Sequence, residues 1–176
     1  MTEYFQRFSA PDPIAHAQNI ARTQDALAAA RGESDFLAVI DLAGDLASNL
    51  TTAGREAQAR DLLAPLQSTV REHLSSEPAG WFYLAFGTAS QYQGLRAESN
   101  AMFSEALDLA RAHAWVTLEH FVLAHWGRSL VEQREFTRAR ECFVQALAIR
   151  ERLNDPRAAT TRRALEALRE LESGAA

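Results

Sequence analysis

Histidine and acidic side chains are the residues of this chain whose types could support metal binding or acid–base chemistry. On a helix, His120 and His125 would point about 140° apart, and a metal site would need a third ligand at more specific spacing. Glu119 could form an acid–base pair with His120, yet adjacent helix residues point about 100° apart. We therefore expect no metal, no cofactor and no catalytic residue, and we expect ordinary surface or interface positions for all five histidines, His16, His73, His113, His120 and His125.

Composition excludes further classes of chemistry. All 18 basic residues are arginine, so Schiff-base chemistry and phosphate loops that need a lysine are absent. The single cysteine, Cys142, rules out an internal disulfide, and we expect it to be an inert thiol on a helix. A net charge of −5 gives no basic patch for nucleic acid, and no apolar run has the length of a membrane span. The sequence favours a cytoplasmic protein that is not an enzyme.

Helix start signals divide the chain. Residues 1–12 are expected to form an irregular lead-in that contains three aromatics, Tyr4, Phe5 and Phe8. Asp12 before Pro13 favours a helix start, because Asp accepts hydrogen bonds from free N–H groups and Pro lacks one. Asp155 before Pro156 repeats this signal and predicts a last helix at 156–172. Its apolar stripe, which suits a capping helix with one docked face, contains Ala158, Leu165, Leu168 and Leu171.

Glycine and proline mark the helix ends. Gly32 favours a left-handed residue at a helix C-terminus. Gly54 and Gly94 favour breaks after the helices that precede them, and Ser34 favours the start of the helix that follows Gly32. Pro65 should kink a helix at about 55–74, because its ring clashes with the preceding turn. No segment alternates as a strand would. These signals predict an all-α fold of about eight antiparallel helices.

A forty-residue repeat organises these helices. Large apolar residues recur at this interval as Leu63, Phe103 and Phe143, and small residues as Ala59, Ser99 and Ala139. Such a fixed period is typical of a helical solenoid. We therefore expect a single domain at 13–173, composed of a half-repeat at 13–32, repeats at about 34–74, 76–112 and 114–153, and the capping helix at 156–172.

In these positions the chain resembles the tetratricopeptide repeat (TPR) family, whose pattern is Trp-x2-Leu-Gly-x2-Tyr on a first helix and Ala-x3-Phe-x2-Ala on a second. The third repeat matches with Leu123, Trp126, Gly127, Leu130, Ala139, Phe143 and Ala146. The second matches with Tyr83, Phe86, Gly87, Ser90, Ser99, Phe103 and Ala106. The first, most divergent, has Ala43, Leu46, Ala47, Leu50, Ala59, Leu63 and Leu66. The period of forty rather than thirty-four residues is similar to the branch typified by kinesin light chains.

The resemblance implies a right-handed α-α superhelical solenoid with a C-terminal capping helix. Gly87 and Gly127 would lie where paired helices cross closely, and Phe103 and Phe143 would plug the space between helices. First helices of the family line a concave groove for peptides or partner helices. The corresponding face here contains Trp81, Leu84, Thr88, Gln91, Tyr92, Phe121, Arg128 and Glu132.

Within that face, Trp81 and Phe121 resemble aromatic anchors, and Arg128 could hold a carboxylate. The alternative is that the long helices bury Trp81 and Phe121 inside the stack. The leading functional hypothesis is a non-catalytic protein–protein interaction module that binds a peptide or protein in the groove. The alternative is a regulatory or sensor subunit that binds a peptide or small ligand and acts on a separate effector chain. The aromatic lead-in could fill the groove in the free protein. Alternatively, a homodimer could form through the lead-in or through an exposed end of the stack.

Overall fold

The computed structural model describes residue 5 and residues 7–174, and within these ranges the chain is helical without strands. Helix accounts for 82% of the structure, which confirms the all-α class. The helices are α1 Pro13–Glu33, α2 Phe36–Thr52, α3 Glu56–Leu63, α4 Gln67–Arg71, α5 Glu77–Tyr92, α6 Arg96–Ala112, α7 Val116–Glu132, α8 Phe136–Arg152 and α9 Ala158–Ser173. In this described part, no helix combines the length and hydropathy needed to cross a bilayer.

The helices fall into two compact units. The N-terminal unit, Phe8–His113, contains α1–α6. The C-terminal unit contains α7–α9 from Ala114 onward, together with Phe5 and Arg7 of the lead-in. Tyr4, the remaining lead-in aromatic, lies outside the described residues. The single domain expected at 13–173 stays a prediction.

Helix α1 starts as predicted and ends later than predicted. The Asp12 carboxylate accepts hydrogen bonds from the backbone N–H groups of Ile14 and Ala15, both at 3.0 Å. The prediction of Gly32 as the left-handed residue is wrong, because the helix runs on to Glu33 and Ser34 has a φ of 58°. Ser34 therefore does not start α2. Asp35 does, because its carboxylate accepts from the Ala38 N–H at 3.1 Å.

Left-handed residues recur at twenty-residue steps along most of the chain. Glycine takes this conformation at Gly54 and Gly94, the two predicted helix breaks, with φ values of 78° and 75°. The other positions with positive φ are Ser34, Ala114, Arg134 and Asn154. Position 74 breaks the series, since the helix that would precede it is interrupted at Pro65. There α3 gives way to a 3-10 turn, Ala64–Leu66, before α4 begins.

In the N-terminal unit, α2 packs against α1, α3 and α5, and α5 also packs against α3 and α6. A polar bridge links α3 to α6 through Arg60, which donates two hydrogen bonds to the Glu98 carboxylate at 2.7 and 3.0 Å. The buried Ser90 hydroxyl donates to the same carboxylate at 2.8 Å. The Arg60 hydrogen bond lowers the pKa of Glu98, so the bridge stays ionised at neutral pH.

In the C-terminal unit, α8 packs against both α7 and α9. Helix α9 turns a narrow face inward, against α8. Ala158 and Leu168 of the predicted stripe are buried, while Leu165 and Leu171 are half-buried. The inward face is completed instead by Thr161, Ala164 and Ala167.

A close contact between glycine and phenylalanine is present once in each unit. A Cβ built on Gly87 would lie 2.8 Å from Cδ1 of Phe103, and one built on Gly127 would lie 2.7 Å from Cε1 of Phe143. Both phenylalanine rings are buried. Each ring therefore lies directly against the backbone of the preceding helix, where only a residue without a side chain leaves room.

Candidate interaction surfaces

Helix α5 contains five of the predicted groove residues, and it is buried over most of its circumference because it packs against three helices of its unit. Leu84 and Gln91 are 6% and 3% exposed, so they have little surface for a partner. Trp81, Thr88 and Tyr92 are half-buried. Trp81 Nε1 donates to a Glu77 carboxylate oxygen at 3.2 Å, and the Thr88 hydroxyl donates to the Leu84 carbonyl at 2.9 Å. The accessible part of the face is therefore narrower than the spacing alone suggests.

Helix α7 contains the other three predicted groove residues, Phe121, Arg128 and Glu132, and all three are half-buried. The Phe121 ring stacks on the His120 ring with centroids 4.9 Å apart and planes inclined by 27°. The Arg157 guanidinium carbon lies 4.4 Å from the Phe121 ring centroid. Such a cation–π contact favours one ring orientation. Phe121 is thus held by its own unit rather than presented as an isolated anchor.

A buried polar network beneath Phe121 links α7, α8 and α9. Arg150 is 5% exposed, and its Nε donates to Nδ1 of His120 at 3.3 Å. Its Nη1 donates to the Thr161 hydroxyl at 2.6 Å. The Thr161 hydroxyl in turn donates to the Arg157 carbonyl at 3.1 Å. Asp155, on the turn before α9, accepts two side-chain hydrogen bonds from Arg157 at 2.9 and 2.8 Å.

The network fixes the protonation state of His120. Arginine can only donate, so Nδ1 of His120 accepts and the ring proton sits on Nε2, which lies 3.7 Å from Oδ2 of Asp155. Burial lowers the pKa of His120, and the Arg150 guanidinium lowers it further. The hydrogen bond from Arg157 lowers the pKa of Asp155 to about 2. A neutral imidazole whose free nitrogen already accepts from arginine is poorly placed to act as a base, so the network suits positioning rather than catalysis.

His125 is a second perturbed histidine of α7. It is half-buried, and burial followed by the nearby positive charges of Arg128 and Arg150 lowers its pKa to about 4. Between residues 7 and 174, and at residue 5, no group of three or more His, Cys, Asp or Glu side chains could hold a metal ion. Cys142 is buried on α8.

The sequence reasoning missed four members of the network, Arg150, Asp155, Arg157 and Thr161. A run of repeat-packing residues surrounds Arg150, and the Asp155-Pro156 signal indicates only a helix start. No local pattern marks an arginine as buried when its partners lie thirty residues away on another helix.

The N-terminal unit contains a cavity of about 420 Å³ between the start of α1 and the turn after α2. Ile20, Ala17 and Pro13 form part of its apolar lining, while His16, Gln24 and Arg55 add polar groups. His16 Nε2 lies 2.9 Å from the Asn49 carbonyl oxygen. The volume falls in the range of small-molecule sites.

Comparison with models of known protein families gives no match to this chain, and no curated protein is significantly similar to it. The resemblance to the TPR family therefore depends on the repeated residues of the sequence alone.

Proposed function

We propose that the chain is a non-catalytic protein–protein interaction module in which TPR-like helical hairpins stack as a right-handed superhelix. The observation that carries this proposal is the glycine–phenylalanine contact, which occurs at Gly87–Phe103 and again forty residues later at Gly127–Phe143. Two hairpins with the same internal contact at the same interval support a repeat architecture. Repeats of this kind supply extended surfaces for partners.

We propose a partner surface in each unit, formed by half-buried side chains on the first helices of the hairpins. Trp81 and Tyr92 supply aromatic area on α5, and Arg128 supplies a forked donor on α7 that fits a carboxylate. Leu84 and Gln91 are excluded from this set because they are buried. Aromatic residues and arginine contribute most of the energy in protein interfaces. A peptide or protein segment with apolar and acidic side chains matches this chemistry.

The test begins with capture of partners from native lysate by the full chain, followed by affinity measurement with the purified partner. Trp81→Ala and Arg128→Ala should each weaken binding by about 2 kcal/mol or more, roughly thirtyfold in Kd. Arg163→Ala is a matched control, because Arg163 is exposed on α9. Normal binding by both variants, with an unchanged circular dichroism spectrum, would show that the assigned surface is wrong.

A sensor subunit that binds a small ligand is the second candidate, and the cavity of about 420 Å³ is the observation in its favour. Its apolar lining with a few polar groups is typical of ligand sites. Native mass spectrometry of the chain purified from its own cells should then detect a bound small molecule. Ala17→Phe, which places a large side chain among the residues that line the cavity, should abolish this species, and Ala28→Phe, on a part of α1 that does not line the cavity, should not. A spectrum that contains only the bare chain counts against this candidate.

A further inference from the structure

Two walls enclose the cavity of about 420 Å³ in the N-terminal unit. The first wall is one face of α1, which contributes Pro13, Ala17, Ile20 and Gln24. These residues recur at intervals of three and four, the spacing of a single helix face. The second wall is the turn that follows α2, at residues 52–55. Ile20 is 5% exposed, whereas Ala17 is exposed, so the α1 wall runs from an apolar depth to a mouth that solvent reaches.

Hydrogen bonds hold these two walls together. The Asn49 carbonyl of α2 accepts from His16 Nε2 at 2.9 Å and from the Ala53 N–H at 3.0 Å. The Arg55 N–H donates to the Leu50 carbonyl at 2.8 Å. His16 therefore ties α1 to the last turn of α2, and backbone hydrogen bonds fix the turn to the same helix. Because the cavity is already formed, a ligand loses little binding free energy to the ordering of the chain.

Arg55 gives this cavity a positive charge. The described residues that line the cavity include no Asp and no Glu, although acidic residues outnumber arginines in the N-terminal unit. The Asp12 carboxylate, close in sequence to the α1 wall, is turned toward its own helix by hydrogen bonds from the Ile14 and Ala15 N–H groups. The cavity therefore combines apolar surface with a cation in a unit that is acidic as a whole.

The Arg55 guanidinium retains hydrogen-bonding capacity for a ligand. Its Nε and Nη2 donate to the side-chain oxygen of Gln58 at 2.9 and 2.5 Å, and this amide carries no charge. A guanidinium has five N–H groups, of which Gln58 uses two. The others, on Nη1 and Nη2, can donate in parallel to both oxygens of a carboxylate. Arg60 of the same unit already makes such a forked contact, with the Glu98 carboxylate.

We propose that this cavity binds a small carboxylate with an apolar chain or ring, whose oxygens accept hydrogen bonds from Arg55 and whose apolar part lies along Ala17 and Ile20. The inference rests on the second candidate function, the sensor subunit, and names the class of its ligand. Burial of the apolar part against α1 contributes affinity. The charge-assisted fork discriminates against alcohols and amines of the same shape.

The test is isothermal titration of the full chain with two carboxylates, hexanoate and phenylacetate, and with hexan-1-ol and hexylamine as shape-matched controls. Both carboxylates should bind the wild type, hexan-1-ol should bind more weakly than hexanoate, and hexylamine should not bind. Arg55→Gln should raise the Kd of hexanoate at least about tenfold, because a hydrogen bond between charged groups is lost. Arg31→Gln is the matched control and should bind as the wild type does, because Arg31 is exposed on α1 and does not line the cavity.

The proposal is overturned if neither carboxylate binds, if hexan-1-ol binds as tightly as hexanoate, or if Arg55→Gln leaves the Kd unchanged. Arg55 is exposed, so Arg55→Gln should fold, and circular dichroism checks this. If it does not fold, Arg55→Lys keeps the charge without the fork and should bind hexanoate more weakly than the wild type; equal affinity refutes the idea.

Ala17→Phe separates the ligand class from the sensor function itself. This variant should abolish hexanoate binding, and binding that persists would show that the carboxylate is held outside the cavity. If Ala17→Phe removes a bound small molecule from the natively purified chain but the carboxylates fail to bind the wild type, only the ligand class is refuted. The second candidate function would then stand.

Discussion

Replacement of Gly127 by alanine tests the repeat register directly. The added Cβ would lie 2.7 Å from Cε1 of Phe143 and 3.0 Å from Cδ1 and Cζ. At the equivalent Gly87, it would lie 2.8, 3.0 and 3.1 Å from Cδ1, Cε1 and Cγ of Phe103. These distances are shorter than ordinary carbon–carbon contacts of about 3.5–4.0 Å. Because both rings are buried, neither can move aside without displacing its neighbours.

The size of the effect follows from two opposing contributions. Overpacking of a well-packed core costs about 1–3 kcal/mol, whereas Gly→Ala inside a helix contributes about 1 kcal/mol of favourable propensity. We therefore expect Gly127→Ala to lower the free energy of unfolding by about 0–2 kcal/mol. Gly32→Ala is the matched control, because it lies within α1 and its Cβ would meet nothing within 4 Å. It should raise stability by about 1 kcal/mol, so that the two variants differ by about 1–3 kcal/mol.

Urea unfolding followed by circular dichroism measures this difference as a shift in midpoint at constant m-value. The double variant Gly127→Ala with Phe143→Leu adds a second criterion, because removal of the ring should relieve the clash. A coupling energy of at least about 0.5 kcal/mol between the two changes is expected for residues in contact. If Gly127→Ala stabilises the protein as much as Gly32→Ala does, the close contact is absent and the register is wrong.

Two further predictions concern the polar groups of the C-terminal unit. Thr161→Val should lower the free energy of unfolding by about 1–3 kcal/mol, because buried Arg150 loses a hydrogen-bond acceptor. Thr160→Val, at an exposed position, should change the free energy of unfolding little in the same urea assay. Equal effects of the two substitutions would contradict the network. Burial lowers the pKa of His125 in the folded protein to about 4, against a reference value of 6.5. Above pH 6.5 the side chain is neutral in both states and does not change the free energy of unfolding. Between pH 6.5 and pH 4 only the unfolded chain takes up the proton, so the fold is destabilised progressively as the pH falls. The full shift corresponds to about 3 kcal/mol, and since the side chain is half-buried we expect about 1–2 kcal/mol after solvent screening. His125→Gln should flatten this part of the stability–pH curve and His113→Gln, at an exposed position, should not; superimposable curves for the wild type and His125→Gln would refute the assignment.

The sequence was sufficient for features that depend on neighbouring residues. The Asp12 carboxylate can reach only the N–H groups of the first turn of α1, so its capping role can be predicted from the adjacent pair Asp12-Pro13. The close helix crossing expected at Gly127 also depends on short-range connectivity, because two helices joined by a short turn pack against each other. That the Phe143 ring is the group that meets Gly127 is a finding of the structure. The prediction of a left-handed residue at Gly32 is wrong because glycine permits this conformation without requiring it. The Asp35 cap of the next helix determines where the chain turns.

The groove face was harder to predict, because a helix buried on several sides does not have a single core stripe. The spacing placed Leu84 and Gln91 opposite Tyr83 and Phe86, and periodicity alone assigns that opposite face to solvent. Helix α5 packs against α2, α3 and α6, so residues on more than one side are covered. The sequence left open whether Trp81 and Phe121 are accessible anchors or buried residues. Both are half-buried, so neither alternative describes them fully. Which faces of a repeat helix remain accessible depends on its neighbours in space.

The His120 network shows why such a site cannot be read from a single sequence. Arg150 lies in a stretch with Arg152, and a charged residue near a helix C-terminus normally indicates a solvated side chain that complements the helix dipole. It is buried here because His120 and Thr161, on two other helices, offer acceptors at 3.3 and 2.6 Å. A buried guanidinium without such partners would be strongly destabilising, so all three helices must be in place before Arg150 can occupy this position. Helix α9 is therefore more than an apolar cover over α8, because its Thr161 satisfies the buried arginine, and the turn that leads into it brings Arg157 onto the ring of Phe121.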